Sequence, residues 1–165
     1  MDENKVELIT YTNQHSSIVE GGIKAINEVL NGSNISKKRS LLFYLDKYLD
    51  PYYGYNLTYF EDIIILLQKH LFLTDVKEIK EDILELLRAY TRRELDYLAE
   101  KLAELELEPE LLEEALYALG YTYNHKYLPV LTRYVSHHNS TIRKSCKRSS
   151  NRFVKVSIFK LCNYK

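Results

Sequence analysis

The side chains best suited to metal or nucleophilic chemistry are few: His15, His70, His125, His137 and His138, with Cys146 and Cys162. The cysteines form no metal-ligand pattern and read as free thiols rather than a bridge. His137-His138 falls in a turn between helices with no Cys or paired carboxylate nearby, so it reads as solvated surface rather than a metal site. His70 lies in the most apolar segment and is expected to be a hydrogen-bonded interior or boundary residue. None of the glycine loops that cradle phosphates occurs, nor a Gly-x-Ser-x-Gly elbow, nor His-Glu-x-x-His. The expectation is a protein that is not an enzyme and uses no cofactor or metal.

What the sequence does supply is the chemistry of contact. Tyrosine accounts for 15 of 165 residues, against five Phe and no Trp. Tyr44, Tyr48, Tyr52, Tyr53, Tyr55 and Tyr59 crowd into one stretch, in which Asp50-Pro51-Tyr52-Tyr53-Gly54-Tyr55-Asn56 has the composition of a loop. Tyr combines large contact area, few rotamers and a hydrogen-bonding tip, which enrich it at interfaces. Tyr52, Tyr53 and Tyr55 are therefore candidate anchors for a protein partner. Tyr44, Tyr48 and Tyr59 fit either an interface or a helix boundary with hydroxyls in water. Asp46, Asp50, Glu61 and Asp62 flank the loop and make the patch acidic as well as aromatic.

Net charge is zero but segregated. Glu94, Asp96, Glu100, Glu104, Glu106, Glu108, Glu110, Glu113 and Glu114 form an acidic belt interrupted only by Lys101. From Arg143 onward there are eight basic residues and no acidic ones. Such asymmetry speaks to partners rather than to fold. Glu100 and Glu104 stand one helical turn apart, a repulsion of about 0.2–0.5 kcal/mol in an isolated helix. The belt is either a solvated helix face or a surface that meets a basic partner. On the second alternative Glu100, Glu104, Glu106 and Glu108 are the candidate contacts.

Helices must position these groups. Ser17-x-x-Glu20, Thr58-x-x-Glu61, Asp75-x-x-Glu78 and Thr91-x-x-Glu94 fit the capping-box pattern, and Pro109 suits a first helical turn. Apolar residues recur at helical spacing behind each signal, as in Val76, Ile79, Ile83, Leu86, Leu87 and Tyr90. The spacing predicts about eight helices, at 17–30, 37–49, 58–73, 76–90, 92–105, 109–119, 125–136 and 140–150. The helix at 58–73 is apolar nearly all round and is expected to be the most buried. Residues 1–16 read as an arm or frayed helix, and 151–165 as a capping helix or a strand-like tail, with the helix favoured. The chain is long enough for one domain, 1–165, with a sizeable core. The longest apolar run, Ile63 to Leu67, is far short of the roughly 18 residues that span a bilayer. Met1-Asp2-Glu3-Asn4-Lys5 lacks the features of a secretion signal, so the expected compartment is cytoplasmic.

Leu111 and Ile142 are 31 residues apart, as are Ala115 and Cys146. A small residue in mid-helix, an apolar residue four positions earlier and a glycine at the helix end recur in stacked helical hairpins. Gly120 is expected to be that glycine, in a left-handed C-cap. The stretch Leu111–Cys146 resembles a HEAT or armadillo-type repeat. The resemblance implies an all-α fold, a short α-solenoid (a HEAT-like α/α superhelix) of about four helical hairpins. Some proteins on this scaffold are iron enzymes that use His-Glu pairs, and no His here is followed by Glu. Others are DNA-base glycosylases, which need a basic concave face, whereas the most charged central segment here is acidic.

In size, fold type and acidic-tyrosine surface the chain is similar to immunity proteins of polymorphic and contact-dependent growth-inhibition toxins. That resemblance implies a stoichiometric inhibitor, monomeric when free, that covers the active site of a cognate toxin domain in a 1:1 complex. The toxin would be a basic nuclease or ribonuclease, with no direct nucleic-acid or membrane binding by this chain. Affinity would be nanomolar or better, about −12 kcal/mol. The alternative is a HEAT-repeat adaptor that holds a peptide or protein partner in its concave groove.

Overall fold

The computed structural model describes residues 13–90, 94–105 and 107–162. The described residues are helical, without strands: α1 Asn13–Glu20, α2 Gly22–Asn31, α3 Ile35–Leu49, α4 Phe60–Leu73, α5 Lys77–Ala89, α6 Asp96–Glu104, α7 Pro109–Tyr121, α8 Leu128–Arg133 and α9 Ser140–Cys162. Single 3-10 turns lie at Pro51–Tyr53 and His125–Tyr127. The chain divides into two compact units, residues 1–66 and 67–165, with the division inside α4.

In the N-terminal unit α1, α2 and α3 pack on one another. Val19, Ile26, Leu30, Leu41, Leu42, Leu45 and Leu49 form its buried core. The helix expected at 17–30 is two helices. Gly22 has φ +75°, a left-handed conformation that no continuous right-handed helix accommodates, so the chain breaks there. Ser17 is therefore not a cap. It lies inside α1, and its carbonyl accepts the Gly21 N–H. Residues 13–16, expected in an arm or a frayed helix, belong to α1, and His15 is buried in the core. The true cap of α3 is Asn34, whose side chain accepts the Lys37 N–H at 2.9 Å.

Capping signals fail elsewhere for the same reason: a local pattern does not decide where the oxygen points. α4 starts at Phe60, two residues after Thr58. α5 has Val76 in its cap position, and the nearby Thr74 hydroxyl, not Asp75, accepts the Val76 N–H at 3.3 Å. Thr91 and Arg92 lie outside the described residues. Pro109 does open α7. α4 buries Ile63, Ile64, Leu67, Gln68, His70 and Leu71 but exposes Ile65 and Leu73, so it is buried on one face although apolar residues lie on both.

In the C-terminal unit α7 packs against both α5 and α9, and α8 packs against α6, α7 and α9. Ser145 donates to Glu113 at 2.6 Å, and Arg148 donates to Tyr117 at 3.3 Å. Both partners advance together along the chain, so α7 and α9 run parallel. Between the other pair, Tyr127 donates to Asp96, Arg133 to the Ala103 carbonyl and Tyr134 to the Leu102 carbonyl. All five bonds join residues 30 to 32 apart. Leu111, Ala115, Ile142 and Cys146, the spaced pairs of the sequence, are all buried. Cys146 is a free thiol whose pKa burial pushes up.

Gly120 is not a left-handed cap. α7 continues past it to Tyr121, and Gly120 is buried against Ser149 of α9. The expected helix at 125–136 shortens to the 3-10 turn and α8, because Asn124 caps the turn at the Lys126 N–H and Pro129 offers no N–H to the first helical turn. Residues 151–162 continue α9 as helix, as favoured from sequence.

Candidate functional site

The tyrosine loop is a compact, internally braced turn. Asp50 ends α3, and its carboxylate accepts the Tyr52 N–H at 2.9 Å. Pro51 supplies the φ that starts a 3-10 turn. The Gly54 N–H closes it on the Pro51 carbonyl at 3.1 Å, with Gly54 at φ +69°, which a side chain would strain. This local chemistry turns Tyr52 and Tyr53 outward: they are 88% and 53% exposed. Their rings meet edge to face, centroids 5.4 Å apart.

Tyr55 behaves differently. Its ring stacks on Tyr48 at 4.3 Å, so it is both half-exposed and a support of the turn. Lys47 of α3 places its ammonium 5.9 Å from the centroids of both Tyr53 and Tyr55. Asp46 is exposed on α3, and Glu61 and Asp62 are exposed in the first turn of α4. The structure thus brings Asp50, Tyr52, Tyr53 and Tyr55 together in one turn, with Lys47 beside Tyr53 and Tyr55. Phe43, one helical turn before Lys47 and 49% exposed, is a large apolar residue that the sequence pattern passed over. Its signal was an aromatic out of phase with the core stripe Leu41, Leu45, Tyr48.

Tyr44 and Tyr48 are not boundary residues with hydroxyls in water, whereas Tyr59, just before α4, is half-buried. Tyr44 and Tyr48 are buried. The Tyr44 hydroxyl is 2.6 Å from Ser16 Oγ, and Tyr59 donates to the Val19 carbonyl. Burial, together with the Tyr44 hydrogen bond, pushes the Tyr48 hydroxyl up to about 12. Beside them His15 Nε2 and Ser40 Oγ share a hydrogen bond of 2.8 Å. Burial, and then the Lys37 charge, hold the His15 pKa below its usual value near 6.5. The unfolded chain therefore binds this proton at a higher pH than the folded one. Folding stability should be level above neutrality and fall as the pH drops through 6.5 toward the folded value. Urea unfolding at pH 7.5 and 5.5 should show the loss, and His15→Gln should flatten it.

In the C-terminal unit the acidic belt breaks into pieces with different partners. Glu100 and Glu104 are exposed on α6, and Lys101 pairs with Glu104 at 2.7 Å, which offsets their repulsion. Glu106 lies outside the described residues. Glu108, just before α7, is 3.9 Å from Lys77, which is also 3.2 Å from Glu110. Asp96 is exposed but paired within the unit. Lys126 lies 2.8 Å away, and Tyr127 donates to it. The Lys126 hydrogen bond holds the Asp96 carboxyl below the usual carboxylate range.

A groove of about 380 Å³ opens along α5 and α7, lined by Glu81, Glu85, Arg88, Glu110, Leu111, Glu113 and Glu114. Arg88 pairs with Glu114 at 2.8 Å, leaving the lining predominantly acidic. Sequence reasoning missed Glu81 and Glu85 here, because they sit a helix away from the belt. His137 and His138 sit in the turn before α9, where both carbonyls accept from Arg143. No helix among the described residues is long and apolar enough to cross a membrane. Comparisons with protein families, with curated proteins and with solved structures found no match for this chain.

Proposed function

We propose that the chain is an immunity-type inhibitor, a cytoplasmic helical protein that binds a cognate toxin domain and covers its active site. The observation that carries this reading is the exposed tyrosine pair on the braced turn. Two large aromatic rings held outward by Asp50, Pro51 and Gly54 lose little freedom on binding, the property of an interface anchor. Asp46, Asp50, Glu61 and Asp62 on the same unit, and Glu100, Glu104 and Glu108 on the other, suit a basic nuclease or ribonuclease whose site attracts phosphate. The hydrogen bonds recurring at 30 to 32 residues support a HEAT-like α-solenoid for the C-terminal unit. Function on this reading comes from binding and not from a reaction.

The test is a rescue assay. The C-terminal domain of the protein encoded upstream in the source genome is expressed with and without this chain, and growth is followed. Relief of toxicity by this chain alone is the expected result. Replacing Tyr52 and Tyr53 together with Ala should weaken toxin binding by about 2 kcal/mol or more while the melting temperature stays nearly unchanged. Tyr55 is left out because its stacking on Tyr48 makes it part of the fold. Undiminished affinity in that variant removes the turn from the paratope.

One observation favours the adaptor alternative: the α5–α7 groove is concave and carries Leu111 among its carboxylates, which suits an extended basic peptide. On that reading Glu81→Lys with Glu85→Lys abolishes binding, and the Tyr52 and Tyr53 changes do not.

A further inference from the structure

We infer that the tyrosine turn continues onto Phe43 and that its complement is an arginine-bearing protein segment, its guanidinium planes laid on the Tyr52 and Tyr53 rings. The inference rests on the binding role proposed above and specifies the partner chemistry at the same surface. The first observation is that these rings already seat a cation. Lys47 stands 5.9 Å from the centroids of Tyr53 and Tyr55, on the side of the turn that faces α3. The Tyr52 and Tyr53 rings cross at 87°, and Tyr52 is 88% exposed, so its ring stays open to a second cation from outside.

The second observation is the surround. Phe43, Tyr52, Tyr53 and Tyr55 are all large and exposed, and Phe43 stands one helical turn from Lys47, which reaches the Tyr53 and Tyr55 rings. Asp46 is exposed one turn beyond Phe43 on α3, and Asp50 sits at the base of the turn. A ring face beside a carboxylate matches a guanidinium better than an ammonium. The guanidinium is planar and weakly hydrated, stacks flat on an aromatic ring and still offers its edge N–H groups to a carboxylate. Lys47 approaches Tyr53 and Tyr55 from α3, and the partner's guanidinium planes take Tyr52 and the outward face of Tyr53.

The test is a titration of the full chain, with its Tyr and Phe rings labelled for NMR, by capped hexa-arginine, hexa-lysine and hexa-citrulline. Citrulline keeps the shape of arginine and removes its charge. Hexa-arginine should shift the Phe43, Tyr52 and Tyr53 ring signals saturably, hexa-lysine should bind several-fold more weakly, and hexa-citrulline should leave the rings unmoved. Tyr52→Ala and Phe43→Ala, each checked for an unchanged fold by its spectrum, should each raise the hexa-arginine Kd at least about fivefold. Equal binding of hexa-citrulline overturns the inference, because the surface is then merely apolar. Shifts confined to the α5–α7 groove overturn it too, because the acidic lining alone is then what attracts the peptide. The rescue assay separates the two levels. Relief of toxicity with unmoved rings sinks this inference and keeps the inhibitor role. Ring shifts by hexa-arginine without any rescue keep the surface chemistry and sink the inhibitor role.

Discussion

Gly120→Ala should destabilise the protein by about 2 kcal/mol, although helix propensity alone would make it stabilising by about 1 kcal/mol. Gly120 lies inside α7, where Ala is ordinarily the better residue. A Cβ placed there would stand 2.5 Å from Ser149 Cβ and 3.0 Å from Ser149 Cα. The second distance is to backbone, so no rotamer change relieves it and α9 has to move off α7. That movement loosens the packing of α7 on α9. Overpacking of this kind outweighs the propensity gain. Urea unfolding of Gly120→Ala, Ser149→Gly and the double variant gives the check. The double variant should recover a measurable part of the loss, a coupling that distant residues do not show. A stabilised Gly120→Ala would mean that α7 and α9 are not in close contact.

Gln68→Leu should cost about 2–4 kcal/mol, since it strips partners from two backbone groups at the start of α6. That helix has Leu95 in its cap position and no side chain of its own to cap with. Gln68, buried on α4, accepts the Leu98 N–H at 3.0 Å and donates to the Glu94 carbonyl at 3.2 Å. Tyr127 completes the cap from the far side: its hydroxyl accepts the Leu95 N–H at 2.7 Å and donates to Asp96. Burial, and then the Asp96 carboxylate, push this hydroxyl up to about 12, so it remains a donor at any physiological pH. Leu matches Gln in bulk but satisfies neither backbone group, and the orphaned N–H lies in a buried site. Hydrogen exchange at Leu98 should accelerate in Gln68→Leu beyond what the global loss explains. Unchanged stability and unchanged exchange would show that α6 is capped by other means.

Both effects come from residues whose neighbours are remote in sequence, and the same division runs through the whole chain. Apolar spacing marked most of the helices, because a side chain every three or four residues on one face has one favourable outcome, burial, but it ran α1 and α2 together across Gly22 and overran α8. Pro109 and the Asp50–Gly54 turn were legible because proline and glycine act through their own backbone. The loop tyrosines were legible as exposed for the same reason. Gly120 was misjudged because a helix-end glycine and a close-contact glycine look alike until the facing helix is known. The α6 cap was misplaced because its oxygens arrive from Gln68 and Tyr127, far along the chain. Tyr44, Tyr48 and Tyr59 could not be sorted by type: a hydroxyl is satisfied by water or by Ser16 and Val19, and only the packing around α1 selects. The acidic groove emerged only when α5 came to lie beside α7, adding Glu81 and Glu85 to a belt that ended, in sequence, at Glu94. Sequence thus determined what each residue can do locally, through backbone preference and burial. Tertiary structure decided which groups meet, because pairing across 30 residues depends on how helices are placed rather than on what they are made of.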